Sequence, residues 1–393
     1  MTDIALVYFD AGGGHRSAAT AIQEAIQRAD FGARAELVNL QELLEPIDFI
    51  FRLTGIRVQD VYNRMLRNGW TLGSPQLMRV LQGAIRLFHD PSVRLLEKYW
   101  GETKPDMVVS FVPHFNRALC ESFGRVRPGK PFVTILTDFA DYPPHFWIER
   151  QQQFLVCGTD KAVEQARKMG HNGSHIFRTS GMILGHRFYD LPAIDRRKER
   201  EMLGLDAERT TGIVLFGGQG ARKTMMEIDR RLGQSTLPIQ LIFICGKNQE
   251  LAEALRAQKS KLPRFIEGFT SKVPYYMQLA DFFVGKPGPG SLAEALAMRL
   301  PVIVERNAWT LPQERYNTDW VSERQVGLVV RNFTHIADTV SELIQNLPHF
   351  RQNTMTTENR ALFEVVEILR GIGEGRTKES LSHPHPQTAN LAT

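Results

Sequence analysis

Between Gly285 and Gly290 the chain reads Gly-Lys-Pro-Gly-Pro-Gly, which leaves almost no side chain between the backbone and whatever lies above it. Ser291 follows as an expected helix N-cap, and Glu294 stands three residues later, the spacing of a capping box. A helix start behind a glycine loop offers free N–H groups and the positive end of the helix dipole, a combination that suits a diphosphate. Gly288, Pro289, Gly290 and Ser291 are the expected contacts. Glu294 either caps its own helix or accepts hydrogen bonds from a ligand, and spacing alone leaves both open. Gln313 and Glu314 lie beyond the next apolar run. Two carboxylates and an amide beside an anion site suit a polyhydroxylated ligand, because sugar hydroxyls both donate and accept.

A second group lies near the start of the chain, where Gly12, Gly13 and Gly14 lead into His15 and then a helix. The glycines match neither a Walker A loop nor a full dinucleotide fingerprint. An imidazole at a helix start is disfavoured as a cation, and neutrality is what a general base requires. An incidental structural histidine has the same appearance. Asp138 closes an apolar run, where an aspartate either caps a turn or reaches a ligand.

These residues need strands and helices to hold them. Phe282–Val284 and Leu300–Val304 read as buried strands flanking the Ala-rich helix after Ser291. Ile4–Phe9, Ala35–Leu40, Met107–Phe111, Val133–Leu136 and Phe154–Cys157 read as strands of a first α/β unit, with Ile176–Gly181 leading out of it. Ala18, Ala21, Ile22, Ala25 and Ile26 recur at helical spacing after His15. The polar stretch 190–200 reads as a linker or a first helix. Gly212–Phe216, Ile239–Cys245 and Phe265–Phe269 are strands of a second unit. Gly217 and Gly218 form a turn that either approaches phosphates or simply needs positive φ.

The expected boundaries are 1–190 for the first domain, with a basic insertion at about 48–100, and 198–350 for the second. A helix at 351–371 is expected to cross back to the first domain, and 372–393 is expected to be a disordered tail. With 393 residues and 42% hydrophobic composition the chain suits two cores. The three cysteines, Cys120, Cys157 and Cys245, lack metal or redox spacing and read as buried free thiols. No signal peptide is expected, and no apolar run approaches the roughly 18 residues of a membrane span.

Charge is concentrated. Between Arg52 and Lys98 eight basic residues face three acidic ones, an excess equal to the formal +5 of the whole chain. Tyr62, Trp70, Phe88, Tyr99 and Trp100 interleave with them. Leu77, Leu81, Ala84, Ile85 and Phe88 share one helical face, with Arg79 and Arg86 opposite. Such a stretch suits nucleic acid or an anionic membrane surface, or is an ordinary packed helix. It lacks a recognised nucleic-acid reading module, so no nucleic-acid partner is expected.

The strings AGGGHRSAATAI, KPDMVVSFVP, VTILTDF, TSGM, LFGGQG, LIFICGKNQELA, GFTSKVPYYMQLAD and GKPGPGSLAEAL…LPVIV…PQE resemble, in order, the monogalactosyldiacylglycerol synthases and their bacterial relatives. These share an inverting glycosyltransferase family with the lipid II-forming N-acetylglucosaminyltransferase of peptidoglycan synthesis. The resemblance implies two Rossmann-like α/β domains facing a cleft, the glycosyltransferase B fold, and a UDP-sugar donor as substrate with no cofactor or catalytic metal.

It further implies a lipid acceptor, diacylglycerol, and His15 as the group that activates its hydroxyl, with Asp138 a second candidate for base or for orienting His15. Gly13 and Gly14 would lie beside that acceptor. Gly217, Gly218 and Gly246 would border the donor, while Gly268 and Phe269 would contact the base. Trp70, Arg79 and Arg86 are expected at the membrane and Trp147 facing lipid, although ADYPPHFW departs from the relatives' turn. The expected location is cytoplasmic, peripheral on the inner face of the cell membrane. A UDP-sugar epimerase, a transferase with a non-lipid acceptor and a non-catalytic membrane-binding protein remain alternatives.

Overall fold

The computed structural model describes residues 1–10, 13–47, 83, 85–218 and 220–376. Strands and helices alternate. The first unit comprises β1 Thr2–Tyr8, α1 Gly14–Ala29, β2 Ala33–Asn39, α2 Leu40–Leu44, α3 His89–Thr103, β3 Met107–Ser110, α4 Asn116–Val126, β4 Phe132–Ile135, β5 Phe154–Cys157, α5 Asp160–Lys168 and β6 Ile176–Arg178. The second comprises α6 Arg196–Met202, β7 Thr210–Leu215, α7 Arg222–Gly233, β8 Ile239–Ile244, α8 Gln249–Ala257, β9 Arg264–Glu267, α9 Val273–Leu279, β10 Phe282–Gly285, α10 Pro289–Ala297, β11 Val302–Glu305, α11 Arg315–Glu323, β12 Gly327–Val330, α12 Ile336–Gln345 and α13 Leu347–Met355. A last helix, α14 Ala361–Gly373, follows.

Each unit builds one six-stranded parallel sheet, ordered β2-β1-β3-β4-β5-β6 and β12-β11-β10-β7-β8-β9. Buried parallel strands need apolar residues on both faces. In β1, Ile4 and Leu6 join the core that holds the apolar face of α1, while Ala5 and Val7 join the opposite core with Leu96, Trp100 and Phe123 of α3 and α4. In β10, Phe283 packs with Leu292 and Leu296 of α10, whereas Phe282 and Val284 pack with α7 and α12.

Strand order fixes where ligands can sit. In the first sheet the direction of winding reverses between β1 and β3, and in the second between β7 and β10, so a crevice opens there outside the carboxyl ends. The loops after β1, β7 and β10 are the glycine loops of the sequence. The sheet layout and the two α/β units agree with the expected fold class.

α14 places Leu362, Val365, Val366 and Leu369 in the core of the first unit, against α1. It runs to Gly373, and Ile372 is buried, so the expected tail begins later than 372 because that isoleucine packs on the first domain. Phe139, Met182 and Leu184 in turn join the core of the second unit. Across the domain boundary the Phe139 and Trp320 rings meet edge to face at 5.3 Å, and Arg324 donates to Asp160 at 3.3 Å. Cys157 and Cys245 are buried, but Cys120 is only half-buried, its Sγ donating to the Gln152 carbonyl. Among the described residues no helix is long and apolar enough to cross a membrane.

Candidate active site

Gly13, with φ of 82°, turns the chain from β1 into α1 and leaves its first N–H groups without a side-chain cap. His15 therefore projects from the first turn, and its Nδ1 lies 2.9 Å from the Thr137 hydroxyl at the end of β4. Desolvation pushes the His15 imidazole down to about 4, although a main-chain hydrogen bond at Phe111 acts against it. The ring is neutral at physiological pH. A hydroxyl already sits where it can donate to Nδ1, which is the geometry of a base awaiting a hydroxyl proton.

Asp138, next in sequence, does not bond His15 among the described residues. Its Oδ2 accepts the Trp147 indole N–H at 2.9 Å, and the Trp147 ring lies 5.7 Å from the His15 ring. Asp138 thus supports His15 through an aromatic wall. Trp147, expected to face lipid, is fully buried instead, because its indole N–H needs the Asp138 acceptor and its main-chain N–H is held by Asp141 at 2.6 Å.

Burial pushes the Asp138 carboxyl up to about 7, with the Trp147 bond opposing and the nearby Glu314 charge adding to the rise. The sign follows from linkage. With a folded-state value above the ordinary 3.8, stability present at low pH is lost as pH rises through about 7. Asp138→Asn keeps an acceptor for Trp147 and removes that loss. The variant is expected to melt a few degrees above the wild type at pH 8 and level with it near pH 4, by circular dichroism; an equal difference at both pH values would contradict the assignment.

The opposite wall comes from the second domain. α10 begins at Pro289, with Gly288 at the N-cap position and no side-chain cap. The expected Ser291 cap is therefore incorrect: the fixed φ of Pro289 starts the helix three residues early. Glu294 then lies too far inside to close a capping box. Its carboxyl is desolvated and pushed up to about 7, with Arg187 acting against the rise. The Gly290 and Ser291 N–H groups remain at the helix start.

Lys286 Nζ sits 3.0 Å from Glu314 Oε1, and a Cβ at Gly288 would stand 3.0 Å from Lys286 Cε and 3.4 Å from that carboxylate. Lys286 also lowers the Asp138 carboxyl electrostatically, so both walls feel the same charges. Gln313 is buried and its Oε1 has no hydrogen-bond partner among the described residues. Asn317 donates to the Pro287 carbonyl at 2.7 Å, bracing the loop from behind.

Gly217 and Gly218 lie against Gly246, where a Cβ would come within 2.4 Å of the Gly218 carbonyl. Gly246 thus allows two loops to touch, and Lys247 N–H donates to that carbonyl at 2.8 Å. Gly268 and Phe269 fall beyond β9, which ends at Glu267 because that carboxylate turns back to the Gly268 N–H at 2.8 Å. The Phe269 ring is 69% exposed, with Lys247 Nζ 5.4 Å from its centre. An exposed ring beside a cleft can stack on a base.

The structure thus brings His15 and Thr137 together beside Asp138, and Asp138 within electrostatic reach of Lys286 and Glu314. It leaves Arg86 apart, exposed beside Leu87 and Phe88. Trp70 and Arg79 lie outside the described residues. Sequence reasoning missed Lys286, although it stands inside the glycine loop, and Arg187, which lines a concavity of about 370 Å³ with Gly13, Arg16, Ser17 and His186. No group of three or more metal-ligating side chains occurs among the described residues.

Comparison with known proteins adds three findings. Residues 212–369 match the glycosyltransferase family 28 C-terminal domain. The monogalactosyldiacylglycerol synthase of Spinacia oleracea chloroplasts is 28% identical over 360 residues, covering 86% of this chain and 65% of that protein, so the chain spans just under two thirds of this relative. Two solved structures share the fold: the S. aureus MnaA-UDP co-structure, with TM-score 0.62, 15% identity and coverage of 95% and 97%, and Acinetobacter baumannii MurG, with TM-score 0.60, 11% identity and coverage of 94% and 99%. Residues 212–369 thus match the glycosyltransferase family 28 C-terminal domain, in a chain of glycosyltransferase B architecture that resembles the monogalactosyldiacylglycerol synthases over most of its length.

Proposed function

We propose that the protein transfers a hexose from a UDP-sugar to the hydroxyl of a membrane lipid, diacylglycerol, with inversion at the anomeric carbon. The observation that carries this reading is the buried, unpartnered Gln313 Oε1 next in sequence to Glu314, whose pairing with Lys286 acts electrostatically on Asp138 of the first domain. An unpaired buried acceptor costs about 1–3 kcal/mol, which a sugar hydroxyl donating to it would recover. The likeness to monogalactosyldiacylglycerol synthases supports the lipid acceptor, and the UDP of the MnaA structure supports a uridine donor.

In this mechanism His15 takes the proton of the acceptor hydroxyl as its oxygen attacks the anomeric carbon. The bond from that carbon to the β-phosphate oxygen breaks on the opposite side, and UDP departs with the electron pair. The Gly290 and Ser291 N–H groups, the dipole of α10 and the Lys286 ammonium stabilise the departing diphosphate. Gln313 and Glu314 hold hexose hydroxyls, and Glu294 accepts from the ribose. Loops at Gly217, Gly218, Gly246, Gly268 and Phe269 enclose the nucleotide. The enzyme works from the cytoplasmic face of the membrane, with Arg86 and the basic stretch before it as one contact.

Glu294 gives a test by titration. Its carboxyl, pushed up to about 7, accepts ribose hydroxyls best when ionised, so UDP-sugar affinity rises as pH increases through 7. Glu294→Ala weakens binding by about tenfold to a hundredfold, the range for one hydrogen-bonded charged group, and flattens the pH dependence. Calorimetry with a UDP-sugar at pH 6 and 8 measures both, and unchanged affinity in the variant would remove Glu294 from the donor site. The likeness to MnaA in fold favours a second reading, a nucleotide-sugar epimerase, which predicts an epimerised UDP-sugar in the absence of lipid.

A further inference from the structure

The carboxyl ends of β11 and β12 and the first turn of α11 enclose an open groove of about 480 Å³ that the donor reading does not use. Its polar walls are Arg306, Asn307, Arg315 and Arg331, over Val329 and Val330. Arg306 pairs with Asp319. Arg315 donates through Nε to the Thr310 carbonyl at 3.3 Å, which leaves its two terminal nitrogens outside that bond. The Arg331 side chain is exposed and makes no hydrogen bond or ion pair among the described residues. Three guanidinium forks around one concavity match the oxygens of a phosphate, which each can hold through paired N–H groups.

The rim of the groove selects among phosphates. Trp309, on the loop that joins Arg306 to Arg315, is 48% exposed. An exposed indole beside arginines suits the boundary between headgroups and acyl chains, where an apolar ring with one N–H donor is favoured. A freely dissolved phosphate has no use for it.

We infer that this groove binds the phosphate of an anionic membrane phospholipid, with Trp309 seated in the headgroup layer. It is a contact of the second domain, separate from the basic stretch at 52–98 in the first. The loop that carries it runs directly into Gln313 and Glu314. Moreover, α11 touches the first domain through the Tyr316 and Tyr142 rings, 6.3 Å apart, so a lipid held there orients both walls of the cleft toward the bilayer. The inference rests on the reading that the acceptor is membrane-borne, but its test needs no sugar transfer, so the two can fail separately.

The test is sedimentation of the full chain with vesicles of phosphatidylcholine alone and of phosphatidylcholine with phosphatidic acid. Removing one arginine at an anionic surface weakens partition about fivefold. Arg315→Gln/Arg331→Gln is therefore expected to bind the anionic vesicles about 25-fold more weakly, and Trp309→Ser to weaken them as well, with UDP affinity of both variants unchanged as the check on folding. Unchanged partition of the double variant overturns the proposal. So does a double variant that loses calorimetric binding of inorganic phosphate while its vesicle binding stays intact, because that result identifies a free-anion site.

Discussion

Replacing His15 by alanine lowers the rate of sugar transfer by about 10²- to 10⁴-fold, the usual contribution of a positioned base, and leaves UDP-sugar affinity unchanged. The split between rate and affinity follows from where the ring sits. His15 belongs to the first domain, at the start of α1, whereas the groups expected to hold the nucleotide belong to the second. The imidazole is held against Trp147, which Asp138 fixes through a 2.9 Å bond, and desolvation keeps it neutral by lowering it to about 4. It can therefore receive a proton at neutral pH without first losing one. Thr137, 2.9 Å from Nδ1, marks the place an acceptor hydroxyl would take. The measurement is kcat at saturating lipid together with calorimetric affinity for a UDP-sugar. A loss of affinity equal to the loss of rate would make His15 a binding residue instead.

Asp281→Ala destabilises the second domain by about 3–5 kcal/mol, the cost of leaving a buried charge without its partner. The Asp281 carboxylate accepts from Arg200 at 2.8 Å, Arg196 at 2.9 Å, Arg351 at 2.6 Å and the Thr211 N–H at 2.8 Å. These donors come from α6, α13 and β7, so one side chain ties both ends of the domain to the start of β10. Arg196 and Arg351 keep 42% and 37% of their side-chain surface exposed and contribute little when solvated. Arg200 keeps only 6%, and its loss of partner dominates.

Burial alone would raise the Asp281 carboxyl, but the Thr211 N–H and the Arg200 and Arg196 charges outweigh it and hold it below the ordinary range. Its contribution is therefore present above the ordinary carboxylate value and lost as pH falls through the lower folded one. Urea unfolding at pH 7 measures the loss, and a change below about 1 kcal/mol would place Asp281 among ordinary surface ion pairs.

The parts of the site that follow directly from a strand and its next loop were legible in the sequence. Gly12 to His15 after β1, Thr137-Asp138 after β4, and Gly288 to Ser291 after β10 each stand at the carboxyl end of an apolar run, and parallel sheets place ligands there. What escaped the sequence depends on competing local signals and on contacts between separate segments. Ser291 was expected as a cap because it is a good capping residue, yet Pro289 starts the helix earlier. Trp147 was expected at lipid because of its type, but its partner Asp138 lies nine positions earlier across a turn. Arg187 approaches Glu294 only because the two domains fold together, and Arg351 approaches Asp281 only because α13 packs back against the start of β10. The membrane-facing expectations for Trp70 and Arg79 fall outside the described residues, so the groove at Arg315 and Arg331 is the basic surface that the structure itself supplies.

The central claim is that a UDP-linked hexose passes to diacylglycerol. It is tested most directly by incubating the full chain with diacylglycerol in anionic liposomes and a panel of radiolabelled UDP-sugars, then extracting the lipid. The account predicts label in a glycolipid for at least one sugar, formed about 10²- to 10⁴-fold more slowly with His15→Ala. Release of UDP, or an epimerised UDP-sugar, with no label in lipid for any donor would contradict it.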